Sequence, residues 1–288
     1  MSLNIEKFIP LILIFLMVVI IIPQSFAEDT NFTLSNNNTM NLNDNGVLSS
    51  NNIDNGNNQV VKNTNQLYNN NNNNNNNQVL KDENNAITVS NSTDLINAVS
   101  SKNYSTIYLE KGNYIVNKMD VNNNLTIQPL ISGSTVVLDG NNSGYIFYVS
   151  ENNTLTLNGL TLINGIGYQV DSEGSKAGGA IISQGNLNLI NSTFRKNAVY
   201  NYGGAVASYG GNVNITGCIF DTNLAEYGGA VYIRKDISES SVICNIKDSK
   251  FISNIAAQDN LGYGGAIYIR GAICNLENCV FDNNYAID

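Results

Sequence analysis

Apolar residues in the C-terminal half of the chain recur as short alternating pairs at a constant offset from a phenylalanine. Counting back from Phe194, Phe220, Phe251 and Phe281, the pairs Leu187/Leu189, Val213/Ile215, Cys244/Ile246 and Cys274/Leu276 fall seven and five residues earlier. The smaller residues Ser192, Cys218, Ser249 and Cys279 fall two residues before the same Phe. A period of two places alternate side chains on one face of a strand, so each unit reads as two short strands joined by a bend and facing one interior. Leu155, Leu157, Leu160 and Leu162 fit the same template with Leu in place of Phe, which extends the pattern upstream.

Further upstream, the runs Thr106–Leu109, Tyr114–Val116, Leu125–Ile127, Val136–Leu138 and Ile146–Val149 are bounded by Gly, Asn or Lys and predict additional strands. Ala86–Val89 reads as the first strand. After it, Asn91, Ser92 and Thr93 offer capping side chains to a short amphipathic helix carrying Leu95, Ile96, Ala98 and Val99.

Two motifs alternate along the repeats. G-G-A-[IV] begins at Gly178, Gly203, Gly228 and Gly264, stepped by 25, 25 and 36 residues. F-x-x-N ends at Asn197, Asn223, Asn254 and Asn284, with Ala198, Ala225, Ala256 and Ala286 close behind. Insertions at Arg234–Ser241 and Ala257–Tyr263 account for the longer step. A unit of about 25 residues built only from short strands is the coil of a parallel β-helix, whose hydrophobic face stays incomplete until the next coil stacks on it. The predicted fold is therefore all-β: a right-handed, single-stranded parallel β-helix over residues 86–288 with a short N-terminal capping helix, its hand following the crossover rule. Equivalent residues should then stack about 4.8 Å apart. The Phe residues should form an interior aromatic stack. The Asn residues at +3 should form an amide ladder in the turn, with Asn suited to any left-handed conformation there. The Gly pairs should pass a corner that a Cβ would obstruct.

The N-terminal part reads differently. Lys7 precedes an apolar run from Phe8 to Ile22, and Ser25-Phe26-Ala27 ends in small residues at −3 and −1, so residues 1–27 are expected to be a signal peptide cut after Ala27. The run is shorter than the roughly 20 residues a bilayer span needs, and the mature chain is expected to have no membrane span. Residues 28–85 are dominated by Asn, unbroken from Asn69 to Asn77, and are expected to be a disordered spacer because they cannot bury enough apolar area to offset chain entropy.

Charge and chemistry narrow the function. The net charge of −9, with no basic cluster, argues against a nucleic-acid partner, and the chain contains no His. Neither a catalytic, a cofactor-binding nor a metal-binding residue is expected. Asp221 and Asp282 share the position after Phe, but Arg195 and Ile252 occupy it on the other coils, so those acids are not adjacent. Lys247 and Glu277 share a position and read as a surface ion pair. The Gly motif lacks the Lys-[ST] of a phosphate loop and precedes a strand, so it reads as a structural turn. Cys244 and Cys274 should be inward-facing neighbours, either bridged or packed as thiols, whereas Cys218 and Cys279 lie two coils apart and out of reach. Tyr200, Tyr202, Tyr209, Tyr227, Tyr232, Tyr263 and Tyr268 lie in or beside the repeats. They read either as strand-favouring residues on the outer face or as platforms for sugars and protein partners.

The alternation of G-G-A-[IV] with F-x-x-N-x-A resembles the chlamydial-type polymorphic outer-membrane protein repeat and the adhesin-like surface proteins of methanogenic archaea, over about Ile87 to Asp288. The resemblance implies a secreted or cell-surface β-helix of the pectin-lyase-like kind, serving adhesion or cell-envelope interaction without catalysis. It implies as partner a surface ligand, a glycan or a protein of a host or neighbouring cell. Two other readings stand beside it: a polysaccharide lyase or hydrolase on the same fold, and a purely structural spacer.

Overall fold

The computed structural model describes residues 81–82, 85–170, 174–235, 242–257 and 261–287. The expected signal peptide and nearly all of the expected spacer lie outside these residues, as do parts of both insertions. What is described is a stack of short parallel strands with a single helix among the described residues.

Three long sheets run along the stack. The first has nine strands, from Lys81–Asp82 and Ala86–Val89 to Ile273–Glu277; the second has seven, from Gly112–Ile115 to Val280–Asp282; the third has six, from Met119–Val121 to Ile267–Arg270. The chain visits the first, second and third sheets in turn and then returns to the first one rung higher, which is a parallel β-helix. Leu187 pairs with Leu155 and Val213, and Leu189 with Leu157 and Ile215, in the predicted register. Antiparallel pairing occurs at two places among the described residues: Lys81–Asp82 against Ala86–Val89, and the hairpin Tyr168–Gln169 with Lys176–Ala177. The first of these reaches into residues 28–85, the expected spacer. An edge strand presents unpaired N–H and C=O groups, and this segment satisfies those of Ala86–Val89.

The helix Ser92–Ser101 is capped as its sequence suggests, with the Asn91 side chain accepting the backbone N–H of Asp94 at 2.9 Å. Its buried residues Leu95, Ala98 and Val99 cover the start of the stack against the strands Ala86–Val89 and Met119–Val121.

Inside the stack, Tyr114, Leu138, Leu162, Phe194, Phe220, Phe251 and Phe281 are successive rungs of one ladder. The Phe rings lie 4.8, 4.8 and 4.9 Å apart and within 7° of parallel. Phe194, Phe220 and Phe251 are fully buried, whereas Phe281 on the outermost described rung is 48% exposed.

The predicted amide ladder is present and buried. Each Asn Nδ2 donates to the Oδ1 of the next Asn, from Asn197 to Asn223 at 3.2 Å, Asn223 to Asn254 at 2.9 Å and Asn254 to Asn284 at 2.8 Å. The same Nδ2 groups donate to the carbonyls of Leu162, Phe194, Phe220 and Phe251 on the rung below. The Oδ1 of Asn223 also accepts the backbone N–H of Asn197, and that of Asn254 the N–H of Asn223. Two details of the turn differ from expectation. The left-handed residue is the one before each ladder Asn, namely Lys196, Thr222, Ser253 and Asn283, with φ between 51° and 56°. The Asn itself is held in place by its side-chain bonds. Ala198 is not the counterpart of Ala225, because Ala198 pairs with Leu224 while Ala225 pairs with Ala256. Val199 is the buried residue at that corner, and Ala198 is only partly buried.

The two glycines of each pair have separate roles. The first, as at Gly203, has φ of 65°. The second has no room for a side chain: a Cβ on Gly204 would collide with the carbonyl oxygen of Gly229 on the next coil. A second amide ladder, not anticipated, runs along the exposed face of the first sheet through Asn188, Asn214, Asn245 and Asn275, each step at 3.0 Å.

These ladders generate a paired test by denaturant melts. Phe220→Ala should destabilise the fold by about 3–5 kcal/mol, because it opens a cavity between two rings. Asp221→Ala, beside it but facing outward, should cost less than about 1 kcal/mol. Asn223→Ala should cost on the order of 3 kcal/mol by orphaning buried amides, whereas Asn245→Ala in the exposed ladder should cost less than about 1 kcal/mol. Equal effects within either pair would show that the interior face is misassigned.

Candidate functional site

On the outer face of the third sheet, Tyr148, Ile182, Ala207, Tyr232 and Tyr268 stack as one ladder. Two residues further along the same strands come Gln184, Tyr209, Arg234 and Arg270. At the neighbouring corner, the residues just before the Gly pairs, Ala177, Tyr202, Tyr227 and Tyr263, pair in register. Aromatic side chains thus reach one strip of surface from three sequence positions.

They pack on one another. Tyr202 lies 4.8 Å from Tyr232 and 5.5 Å from Tyr227, and Tyr209 lies 5.8 Å from Tyr232, centroid to centroid. Tyr227 stacks on Tyr263 at 4.8 Å, and Tyr232 on Tyr268 at 5.7 Å. Tyr232 is almost wholly covered, at 2% exposure, although it faces outward from the β-helix. The cluster is a small second core on the outside of the solenoid.

The surface sinks at Ile182, while Ala207 on the next rung is buried under the tyrosine cluster. Toward the N-terminal side the Tyr148 hydroxyl donates to Gln184 Oε1 at 2.6 Å. The hairpin that interrupts the coil adds a rim of Tyr168, Gln169 and Val170, and Tyr145 meets Tyr168 edge-on at 6.1 Å. Tyr202, Tyr209 and Arg234 close the opposite side, giving a hollow of about 350 Å³. That volume lies at the small end of ligand sites, roughly 300–1,000 Å³. The Arg234 guanidinium sits 4.8 Å over the Tyr209 ring, an arrangement that orients its charge.

Burial pushes up the ionisation of Tyr148, helped by the negative charges of Asp120 and Glu151. Burial likewise raises Tyr232, against the opposing pull of Arg234 and Arg270. These phenols stay neutral hydroxyls near neutral pH, so the formal charge lining the hollow belongs to Arg234.

The repeat tyrosines lie on the outer face, as the first reading has it, and they also converge. Tyr202 and Tyr209 line the hollow; Tyr227, Tyr232, Tyr263 and Tyr268 buttress it; Tyr200 is not among its lining residues. Tyr148 and Tyr168 had not been singled out. Two signals were available in the repeats: Tyr precedes the Gly pair in three of four motifs, and Val231-Tyr232-Ile233-Arg234 recurs as Ile267-Tyr268-Ile269-Arg270.

The acidic residues weighed earlier fall where their spacing placed them. Asp221 pairs with Arg195 and Ile252 on its neighbouring rungs, and Lys247 Nζ meets Glu277 at 2.6 Å on the exposed surface.

Cys244 pairs in register with Cys274, their sulfurs 2.7 Å apart, and both are free thiols in the structure. The hydrogen bond between them, with burial, pushes the ionisation of Cys244 up, and the same bond pulls that of half-exposed Cys274 down. Cys274 is the member of the pair that an oxidant in solution can reach, since Cys244 is fully buried. Buried Cys218 is pushed up to about 12, chiefly by desolvation. Incubation with oxidised glutathione should join Cys244 to Cys274: the Cys274 thiolate displaces one glutathione, and Cys244 then displaces the second. Non-reducing peptide mapping checks this, and a Cys218–Cys279 bridge would contradict the register.

Among known proteins, the chain is 39% identical over 89 residues to the "Probable autotransporter YfaL" of Escherichia coli (strain K12), a match covering 30% of this chain and 7% of that protein. No protein-family model matches the chain. No solved structure matches it. Among the described residues no helix is long and apolar enough to cross a membrane.

Proposed function

We propose that this chain is a surface or secreted, non-enzymatic protein whose β-helix presents the tyrosine-lined hollow to a ligand, in adhesion or cell-envelope contact. The observation that carries this is the convergence of Tyr148, Tyr168, Tyr202 and Tyr209 on one concavity beside a positioned Arg234. Parallel pairing sets Tyr148 and Tyr202, the hairpin sets Tyr168, and aromatic side chains with few rotatable bonds lose little conformational entropy on binding. The autotransporter similarity and the expected export signal both support an exterior location.

A pure spacer has no need of such a hollow. A polysaccharide-cleaving enzyme needs acidic groups converging on a scissile bond, usually as a pair of carboxylates or around a metal. Among the described residues no three Cys, Asp or Glu side chains cluster as a metal site would require. Asp120, near the hollow, is engaged by the Tyr145 hydroxyl at 2.7 Å.

Two measurements test this reading. Binding of the purified protein to glycan arrays and to cell-surface extracts should fall at least ten-fold in Tyr202→Ala. It should fall also in Tyr168→Ala, whose exposed rim position leaves the melting curve unchanged. Binding indifferent to both would remove the hollow from the function. The protein should release neither reducing nor unsaturated sugars from pectin or mucin glycans, with or without calcium. Turnover abolished by substituting one acidic residue would establish the enzyme instead.

A further inference from the structure

Register places Arg234 and Arg270 on adjacent rungs of the third sheet, side chain over side chain. Paired rungs are about 4.8 Å apart, and like charges directly opposite one another across a strand pair repel. Elsewhere on this molecule such a position is balanced, as where Glu277 stacks on Lys247. Among the described residues neither Arg234 nor Arg270 has a carboxylate ion-pair partner. The chain carries 23 acidic against 14 basic residues, so a stacked pair of guanidiniums runs against its overall charge. Arg234 is also held in place, 4.8 Å over the Tyr209 ring at the edge of the hollow.

The lining has a second character. Tyr rings offer flat apolar faces of the kind that pack on the C–H face of a pyranose, and Gln184 supplies amide groups for hydroxyls. Together these provide a ring platform, a hydroxyl partner and a fixed cation at one end. A guanidinium meets a carboxylate through two parallel N–H···O bonds, a geometry that a lysine does not reproduce.

We propose that the hollow binds an acidic sugar residue, its ring against the tyrosines and its carboxylate on Arg234, with Arg270 one rung beyond reinforcing the positive field. This rests on the reading of the hollow as a binding site. It goes further in assigning the ligand's charge to a single side chain. The anion lies against two stacked arginines that have no carboxylate ion-pair partner among the described residues, so its charge offsets theirs.

The test uses the full chain and four probes: trigalacturonate, its methyl ester, sialyllactose and lactose, with a sulfated lactose as a further arm. Titration calorimetry should show each carboxylated sugar binding at least ten-fold more tightly than its uncharged counterpart. Arg234→Gln should abolish that preference, and Arg234→Lys should restore it only in part. Equal affinity for charged and uncharged sugars overturns the acidic-sugar assignment but leaves a Tyr-dependent sugar site standing. Stronger binding of the sulfated arm than of both carboxylated sugars overturns the carboxylate assignment. If no sugar binds while Tyr168→Ala still weakens binding to cell-surface extracts, the assignment falls and the hollow remains a site for another ligand. If Tyr168→Ala changes nothing in any assay, the binding-site reading itself falls.

Discussion

In-register pairing of parallel strands is the constraint from which the rest of this molecule follows. Each coil donates and accepts backbone hydrogen bonds with the coils on either side, so every side chain is set on its own equivalent at strand spacing. Position by position, the structure must then tolerate like on like. Flat apolar rings do this well, and Phe194, Phe220 and Phe251 form a parallel stack that fills the interior. Primary amides do it equally well, since each is both donor and acceptor along the stacking direction.

This explains why Asn appears in two settings with different consequences. At the corner after the second sheet, Asn197, Asn223 and Asn254 are buried, and their amides tie side chain to side chain and side chain to backbone. A bend without regular ladder hydrogen bonds would otherwise leave N–H and C=O groups unsatisfied inside the protein. On the first sheet's outer face, Asn188, Asn214, Asn245 and Asn275 form a single line of bonds beside solvent. Water can replace those bonds, so that ladder contributes little. Charged residues fit the same logic: opposite charges may stack, as Lys247 and Glu277 do, whereas Arg234 over Arg270 is an exception among the charged rungs.

A perfectly regular solenoid has flat faces. The hollow lies where the regularity fails locally, at Ile182 next to Tyr148 in the outer ladder and where a hairpin replaces a plain corner. The surrounding Tyr side chains then lean over the smaller residues and over one another, burying Tyr232 on the outside of the β-helix. Departure from the repeat thus creates the candidate site, while the repeat supplies the rigidity that holds it.

The sequence by itself determined the β-helix, its register through Phe and Asn, the corner glycines and the stacking of Cys244 on Cys274. These depend only on period and side-chain type, and a coil of about 25 residues repeats both. Tertiary structure alone decided three things. It put the left-handed conformation on Lys196 and Thr222 rather than on the ladder Asn, because the amide bonds hold that Asn in the fold. It paired Ala198 with Leu224 and buried Val199, one residue away, since strand pairing and not motif spacing sets the register at that corner. It also gathered Tyr148, Tyr168, Tyr202 and Tyr209 from three successive coils into one hollow. A periodic pattern shows which residues share a ladder, but a concavity depends on the relative size of neighbours on adjacent rungs and on where a hairpin folds back, and both are properties of the stacked coils.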